Sequence, residues 1–241
     1  MSKKIKLSSD QLKLIAIFIM LIDHAAYALL HLYLTNSYDT IAIEDYQKLN
    51  KIYGYARDVG RLAFPIFAFM LVEGFFRTRS VVKYAVRIAI AAIVSEIPFN
   101  LALYQKVLYP EHQNVMLTML IALLAMALLR YIESLLLSTP LKVFLYICVS
   151  VAAMDIGQLC NCDYRWYGIG AILVLYFTYG QGPLRLVCGA TAFCWEKFAP
   201  ASFLLLYFYD DTKKPKLKYL FYLFYPVHLI LLYFCARLLG L

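Results

Sequence analysis

Nothing in this sequence is polar for long enough to make a soluble module, so an enzyme domain carried on a single anchor is excluded. No repeat of fixed period is present, which argues against a solenoid or an array. No small-residue cleavage site follows the first apolar run. His31, Tyr33 and Asn36 stand there instead, so that run is expected to be a retained helix and not a signal peptide. Metal-ligand spacing is also missing. Of the six cysteines, Cys148, Cys188, Cys194 and Cys235 lie in apolar runs and are expected to be packing residues. Cys160 and Cys162 flank Asn161, a spacing too tight for a mutual disulfide, and no histidine or second cysteine pair stands near them in sequence. No metal site is expected. The chain also has no matching pair of Gly/Pro-broken helices in two halves, the pattern of inverted-repeat transporters.

What is present is hydrophobicity. Apolar residues make up 63% of 241, spread over the whole length, and the mean hydropathy is +0.69. Soluble domains run at about 45–50% apolar. The composition therefore predicts an all-α, polytopic membrane helix bundle, a single transmembrane domain over 1–241 with the lipid bilayer as its solvent. The formal net charge of +8 does not call for nucleic acid as a partner. Lys and Arg collect in cytoplasmic loops of membrane proteins, and the positive-inside rule accounts for the surplus.

About nine spans follow in order. The first runs over about 11–34, with Ser8, Ser9 and Asp10 as capping candidates. The basic KKIK ahead of it puts the N-terminus in the cytoplasm. Residues 35–58 read as a polar outer loop with at most an interfacial helical turn. The second span covers about 60–76, and RTRSVVKYAVR after it is the strongest cytoplasmic signal. The third ends near SEIPFN, where Pro98 is expected to break or kink it. The fourth and fifth cover about 115–132 and 141–159, and the sixth starts near Tyr167. Two apolar runs at 186–194 and 199–209 are shorter than the ~20 residues of a full span, and read as two short helices or one re-entrant hairpin. The ninth covers about 219–238.

The first span carries Asp23 and His24 deep inside it. An ionisable group in hydrocarbon costs roughly 2.5–3.5 kcal/mol on insertion scales, which makes such a residue a functional-site candidate. Neighbours on a helix point about 100° apart, so these two cannot pair with each other. Arg61 is the partner expected for Asp23, and Glu96 the group expected to orient His24. His24 shares its face with Met20, Tyr27 and His31. Glu96, Asn100, Arg61, Asn114, Asp163 and Tyr167 all fall toward the outer side. Asn114 and Asp163 read equally as loop-edge residues, Arg61 as a snorkelling one. His228, beside Pro226, is either a site group or a core histidine bonded to a carbonyl. On the inner side Arg77, Arg79, Lys83, Lys213, Lys214 and Lys218 either follow the positive-inside pattern or hold the phosphates of an anionic ligand.

The same residues carry a family resemblance. The chain resembles the TraX family, membrane acetylases named for N-acetylation of F-type pilin. The likeness lies in the Asp-His pair, GRLAFPIFAFMLVEG at 60–74, SEIPFN at 95–100, DYRWYGIG at 163–170 and KYLFYLFYPVHL at 218–229. It covers essentially the whole chain, and more distantly it looks like the transmembrane acyltransferases that draw on cytoplasmic acetyl-CoA. The resemblance implies a catalytic His24 and acetyl-CoA as donor substrate. The expectation is an acetyltransferase in which His24 acts as general base or briefly carries the acyl group, with Asp23, Arg61, Glu96 and Asn100 in the catalytic set. Arg61 or Asn100 would hold the oxyanion. Asn114, Asp163, Tyr167 and His228 would face the acceptor, an amine or hydroxyl on an exported peptide N-terminus or a glycan. A proton-coupled transporter is the alternative, since membrane Asp, His, Glu and Arg also build proton relays. A purely structural subunit leaves the buried ionisable residues unexplained.

Overall fold

A computed structural model describes residues 6–210, 212 and 216–241 of the chain. Among them the fold is all helical, with only isolated backbone bridges and no strand. The elements are α1 (Ser9–Ala25), a π-helical segment (Ala26–His31), α2 (Leu32–Asn36), α3 (Ile43–Gly60), α4 (Ala63–Arg77), α5 (Val81–Tyr104), α6 (Val115–Ser134), α7 (Thr139–Leu159), α8 (Arg165–Phe177), α9 (Pro183–Ala192), α10 (Ser202–Leu206) and α11 (Lys218–Leu238). Six helical runs are long and apolar enough to cross a membrane, and α8 is a shorter apolar helix. Each of the nine expected spans coincides with a helix, so a count of about nine is compatible with this architecture. This is a membrane protein.

The ends of the helices follow from local chemistry. Ser8 caps α1 in a capping box: its hydroxyl accepts from the Gln11 amide, and its own amide donates to the Gln11 side chain at 2.9 Å. Asn114 caps α6, accepting from the Met116 amide at 3.0 Å. Pro140 and Pro183 open α7 and α9, where a missing N–H costs nothing. Of the break or kink expected at Pro98, the break does not occur: α5 runs through it from Val81 to Tyr104. In a membrane helix the freed carbonyl is re-satisfied locally, and the remaining ladder holds. The runs near 186–194 and 199–209 are two short helices, α9 and α10, of ten and five residues.

The largest departure lies at 35–58. Where the sequence reads as a polar outer loop, the chain builds the 18-residue α3, with Glu44 and Asp45 in its first turn. Acidic residues there complement the helix dipole. Its mixed charges conceal a helix whose far end packs on α1. The cysteines depart too. Cys148, Cys194 and Cys235 are exposed and Cys162 is the buried one; all six are free. In a bilayer an apolar side chain is as content facing lipid as facing the core, so hydrophobic surroundings do not imply burial.

Contacts divide the chain into two compact units, with boundaries inside α4 and α5. One holds the described residues up to Phe67, Ile97–Leu108 and those from Glu196 on. In it, α1 packs on α3 and α11. The buried residues of α1 include Leu12, Ala16, Ile19 and Asp23, spaced four, three and four apart, so the ionisable residue closes an otherwise apolar stripe. The other unit holds Ala68–Glu96 and Tyr109–Trp195. There α6 buries Met119, Ala122, Leu123, Met126 and Leu129 against α7 and α8, and leaves Leu124, Leu128 and Tyr131 exposed.

Candidate functional site

His24 is the sixteenth residue of the 28-residue helical run Ser9–Asn36, roughly 22 Å along it at 1.5 Å per residue. Its Nδ1 lies 2.7 Å from Nε2 of His228 on α11. The two rings are parallel to within 6° with centres 5.0 Å apart. With the facing nitrogens so close, that separation puts the bond in the plane of both rings, a hydrogen bond and not a stack. His228 is 4% exposed, and its Nδ1 lies 2.8 Å from the Phe224 carbonyl, one helical turn back.

These contacts order the protons. A carbonyl only accepts, so His228 Nδ1 donates to it. With both rings neutral, His228 Nε2 is then an acceptor and His24 Nδ1 its donor. His24 Nε2 is left with a lone pair, the nitrogen able to take a proton. The rings of Phe224 and Tyr225 frame the pair: Phe224 lies 4.7 Å from His228, and Tyr225 stands edge-on to His24 at 6.1 Å. Two residues beyond His24 the backbone widens into the π-helical segment. Such segments are rare and gather at functional sites. This one carries Tyr27 and His31, which meet at 5.0 Å, and His31 also stacks on Tyr53 of α3.

Asp23 points to the buried side of α1 and accepts from Arg57 at 2.7 Å. Arg61, the partner expected for it, lies one turn further along and pairs with Glu196 at 3.3 Å. Arg57 also covers the Tyr27 ring at 5.2 Å. The close approach needs Gly60: a Cβ there would lie 2.1 Å from Asp23 Oδ1 and 2.4 Å from its Cβ. Asn100 is buried and its amide donates to the Val107 carbonyl at 3.4 Å.

In the other unit Glu96, expected to orient His24, accepts from the Asn114 amide at 2.5 Å. Asn114 donates also to the Ala92 carbonyl while capping α6, so it ties two helices together. Asp163 lies 3.6 Å from His112, and its carbonyl accepts from Thr118. Tyr167 stacks on Trp166. Arg79 and Lys83 are exposed near the turn between α4 and α5, whereas Arg77 shares the buried Glu73 with Arg185. Lys213 and Lys214 lie outside the described residues, as does the side chain of Lys218. Among the described residues no three His, Cys, Asp or Glu side chains gather as a metal cluster would.

Sequence reasoning missed Arg57, Glu196 and the Glu73–Arg185 pair, and the bond between the two histidines. Arg57 had a signal: it stands one helical turn before Arg61, so a helix over this stretch presents both on one side. Arg185 stands alone among apolar residues in PLRLVCGATA, and a buried cation of that kind calls for a carboxylate.

Comparison with known proteins fits these residues into a family. The family described as TraX protein matches residues 8–236. A protein of Dichelobacter nodosus described as "Probable fimbrial assembly protein FimC, serogroup H1" is 31% identical over 263 residues, covering 96% of this chain and 97% of its own. No solved structure matches. The family match spans both histidines, the Asp23–Arg57 pair and nearly every helix, and the chain belongs to the TraX family.

Proposed function

We propose that this protein is an integral membrane acetyltransferase that moves an acetyl group from acetyl-CoA to an amine or hydroxyl of an acceptor. The observation that carries this reading is the in-plane His24–His228 bond. It leaves His24 Nε2 as a base inside a membrane helix. Acetyl-CoA, as donor, supplies an activated acetyl thioester. His24 Nε2 takes the proton of the acceptor as its nitrogen or oxygen attacks the acetyl carbonyl; the tetrahedral intermediate then collapses, its C–S bond breaks, and the CoA thiolate leaves and takes the proton back from His24. As His24 gains charge, its Nδ1–H bond to His228 becomes charge-assisted and shortens in effect. His228 holds the ring in place, itself held by the Phe224 carbonyl. Arg61 and Asn100 remain the candidates for the developing oxyanion. The exposed Arg79 and Lys83 fit the phosphates of the donor; Arg77, already shared with Glu73, contributes less.

The description of the Dichelobacter relative supports an acceptor drawn from fimbrial assembly. Asn114, Asp163 and Tyr167 are proposed to serve the acceptor side. A single domain over 1–241 and a cytoplasmic N-terminus complete the reading. The test is incubation of purified protein with acetyl-labelled acetyl-CoA and a candidate acceptor. Label on the acceptor, or release of free CoA, is expected. No transfer and no release by a folded protein across amine and hydroxyl acceptors would favour the proton-coupled transporter.

A further inference from the structure

Acyl transfer needs donors for the acetyl oxygen as well as a base. The two candidates so far are both engaged: Arg61 pairs with Glu196 at 3.3 Å, and Asn100 donates to the Val107 carbonyl at 3.4 Å. Arg57 is placed differently. Its Nη1 donates to Asp23 at 2.7 Å, and its guanidinium covers the Tyr27 ring at 5.2 Å. Asp23 and Tyr27 are four apart and share one side of the helical run, and Tyr27 is three from His24. The guanidinium therefore lies beside the turn that carries the base, and its charge acts on the His24 ring.

A guanidinium offers five N–H donors in a rigid fork. Among the described residues Arg57 makes one hydrogen bond, to Asp23 through Nη1. Its Nε and Nη2 keep their donors, and neither nitrogen is sealed inside the protein. The side chain is 21% exposed, so a bound molecule can reach it. It is also fixed in advance. Asp23 holds one end, the Tyr27 ring lies under the plane, and the missing Cβ of Gly60 makes room for Asp23. Donors set beforehand where charge will develop are usually the largest single contribution to catalysis.

We propose that Arg57 is a catalytic residue that holds the oxyanion formed on the acetyl group, an assignment that rests on the acetyltransferase reading of this site. As the acceptor's nitrogen or oxygen bonds to the acetyl carbon, the carbonyl π pair moves onto oxygen. Nε–H and Nη2–H of Arg57 donate to that oxygen together, while His24 Nε2 holds the acceptor's proton. The C=O bond then re-forms and the C–S bond breaks. The electron pair leaves on the CoA sulfur, which takes the proton from His24. Arg57 neither gains nor loses a proton. Its bonds are strongest while the oxygen is negative, so they raise kcat and leave KM nearly unchanged.

The experiment compares acetyl-CoA with dithioacetyl-CoA, in which sulfur replaces the carbonyl oxygen and accepts hydrogen bonds poorly. Release of free CoA by the purified full chain is followed with triglycine as amine acceptor and glycerol as hydroxyl acceptor. The parent should favour the oxygen ester by a factor on the order of 10²–10³, the usual worth of an oxyanion donor. Arg57→Ala should lose about that factor in kcat on acetyl-CoA and little on the dithio ester. Arg57→Lys keeps a cation beside Asp23 but loses the fork, and carries the test where the alanine variant does not fold. It should lower the oxygen-to-sulfur ratio tenfold or more with KM for acetyl-CoA near the parent's. An Arg57 with only a structural role would slow both esters alike, so an unchanged ratio in a folded Arg57→Lys protein overturns the proposal. A ratio that collapses in Arg61→Lys or Asn100→Ala and holds in Arg57→Lys also overturns it. Equal turnover of the two esters by the parent overturns this proposal alone; turnover of neither overturns it together with the acetyltransferase reading.

Discussion

Two glycines of α3 are expected to respond to alanine in opposite directions. At Gly60 a Cβ would stand 2.1 Å from Asp23 Oδ1 and 2.4 Å from its Cβ and Cγ, where ordinary contact begins at 3.4 Å. Rotating the Asp23 side chain cannot relieve this, because its Cβ is itself too close. The backbones of α1 and α3 must part by about 1 Å, a typical overpacking cost of about 1–3 kcal/mol. The 2.7 Å bond from Arg57 to Asp23 stretches with them, and a hydrogen bond to a charged group is worth about 1.5–3 kcal/mol. At Gly54, on the same helix, an added Cβ meets nothing within 4 Å. There alanine only removes backbone freedom from the unfolded chain, a gain of about 0.5–1 kcal/mol. For a chain of this length 1 kcal/mol moves the melting temperature by about 2–4 °C. Gly60→Ala should therefore melt at least several degrees below the parent in detergent, and Gly54→Ala at or above it. A Gly60→Ala protein that melts with Gly54→Ala would refute the close approach of Asp23 to α3.

Further outcomes can be read separately. Arg57→Leu should destabilise by about 3–5 kcal/mol, as breaking a largely buried pair does, while Asp23→Ala combined with Arg57→Leu should cost less than Arg57→Leu alone; thermal melts of the three variants check this. Burial first, and then Cys160 and Asp163 beside it, push the Cys162 thiol up to about 12, so at pH 8 maleimide should label Cys160 readily and leave Cys162 untouched until the protein unfolds; rapid native labelling at Cys162 would contradict its packing. Arg79→Ala with Lys83→Ala should raise KM for acetyl-CoA with little change in kcat, more at low salt than at high, because exposed charges are screened within about 10 Å at 0.1 M; an unchanged KM at both salts would leave these cations with a topological role only.

The helices were legible in the sequence because length and hydropathy alone decide which segments span a bilayer. Asp23, His24 and His228 were legible as candidates because charge or polarity inside such a segment is costly. Their pairing was not. His24 and His228 are separated by 204 positions, and no local spacing says which helices meet. Asp23 found Arg57 because α3 is a helix where mixed charge reads as loop, and that error moved the expected partner one turn, to Arg61. Glu96, expected to orient His24, accepts from Asn114 across two helices, a pairing that no local spacing in the sequence announces. Apolar neighbours do not bury Cys148, Cys194 and Cys235, because such neighbours mean core in water and either core or lipid in a membrane.

The account rests on His24 as the base that His228 holds in place. The direct measurement is turnover of His24→Ala and His228→Ala at saturating acetyl-CoA, beside a melt of each in detergent. His24→Ala should stay folded and lose a factor on the order of 10²–10⁴ in kcat, the usual worth of a general base. His228→Ala should lose less, since it only orients the ring that takes the proton. Near-parental turnover by a folded His24→Ala protein would contradict the account.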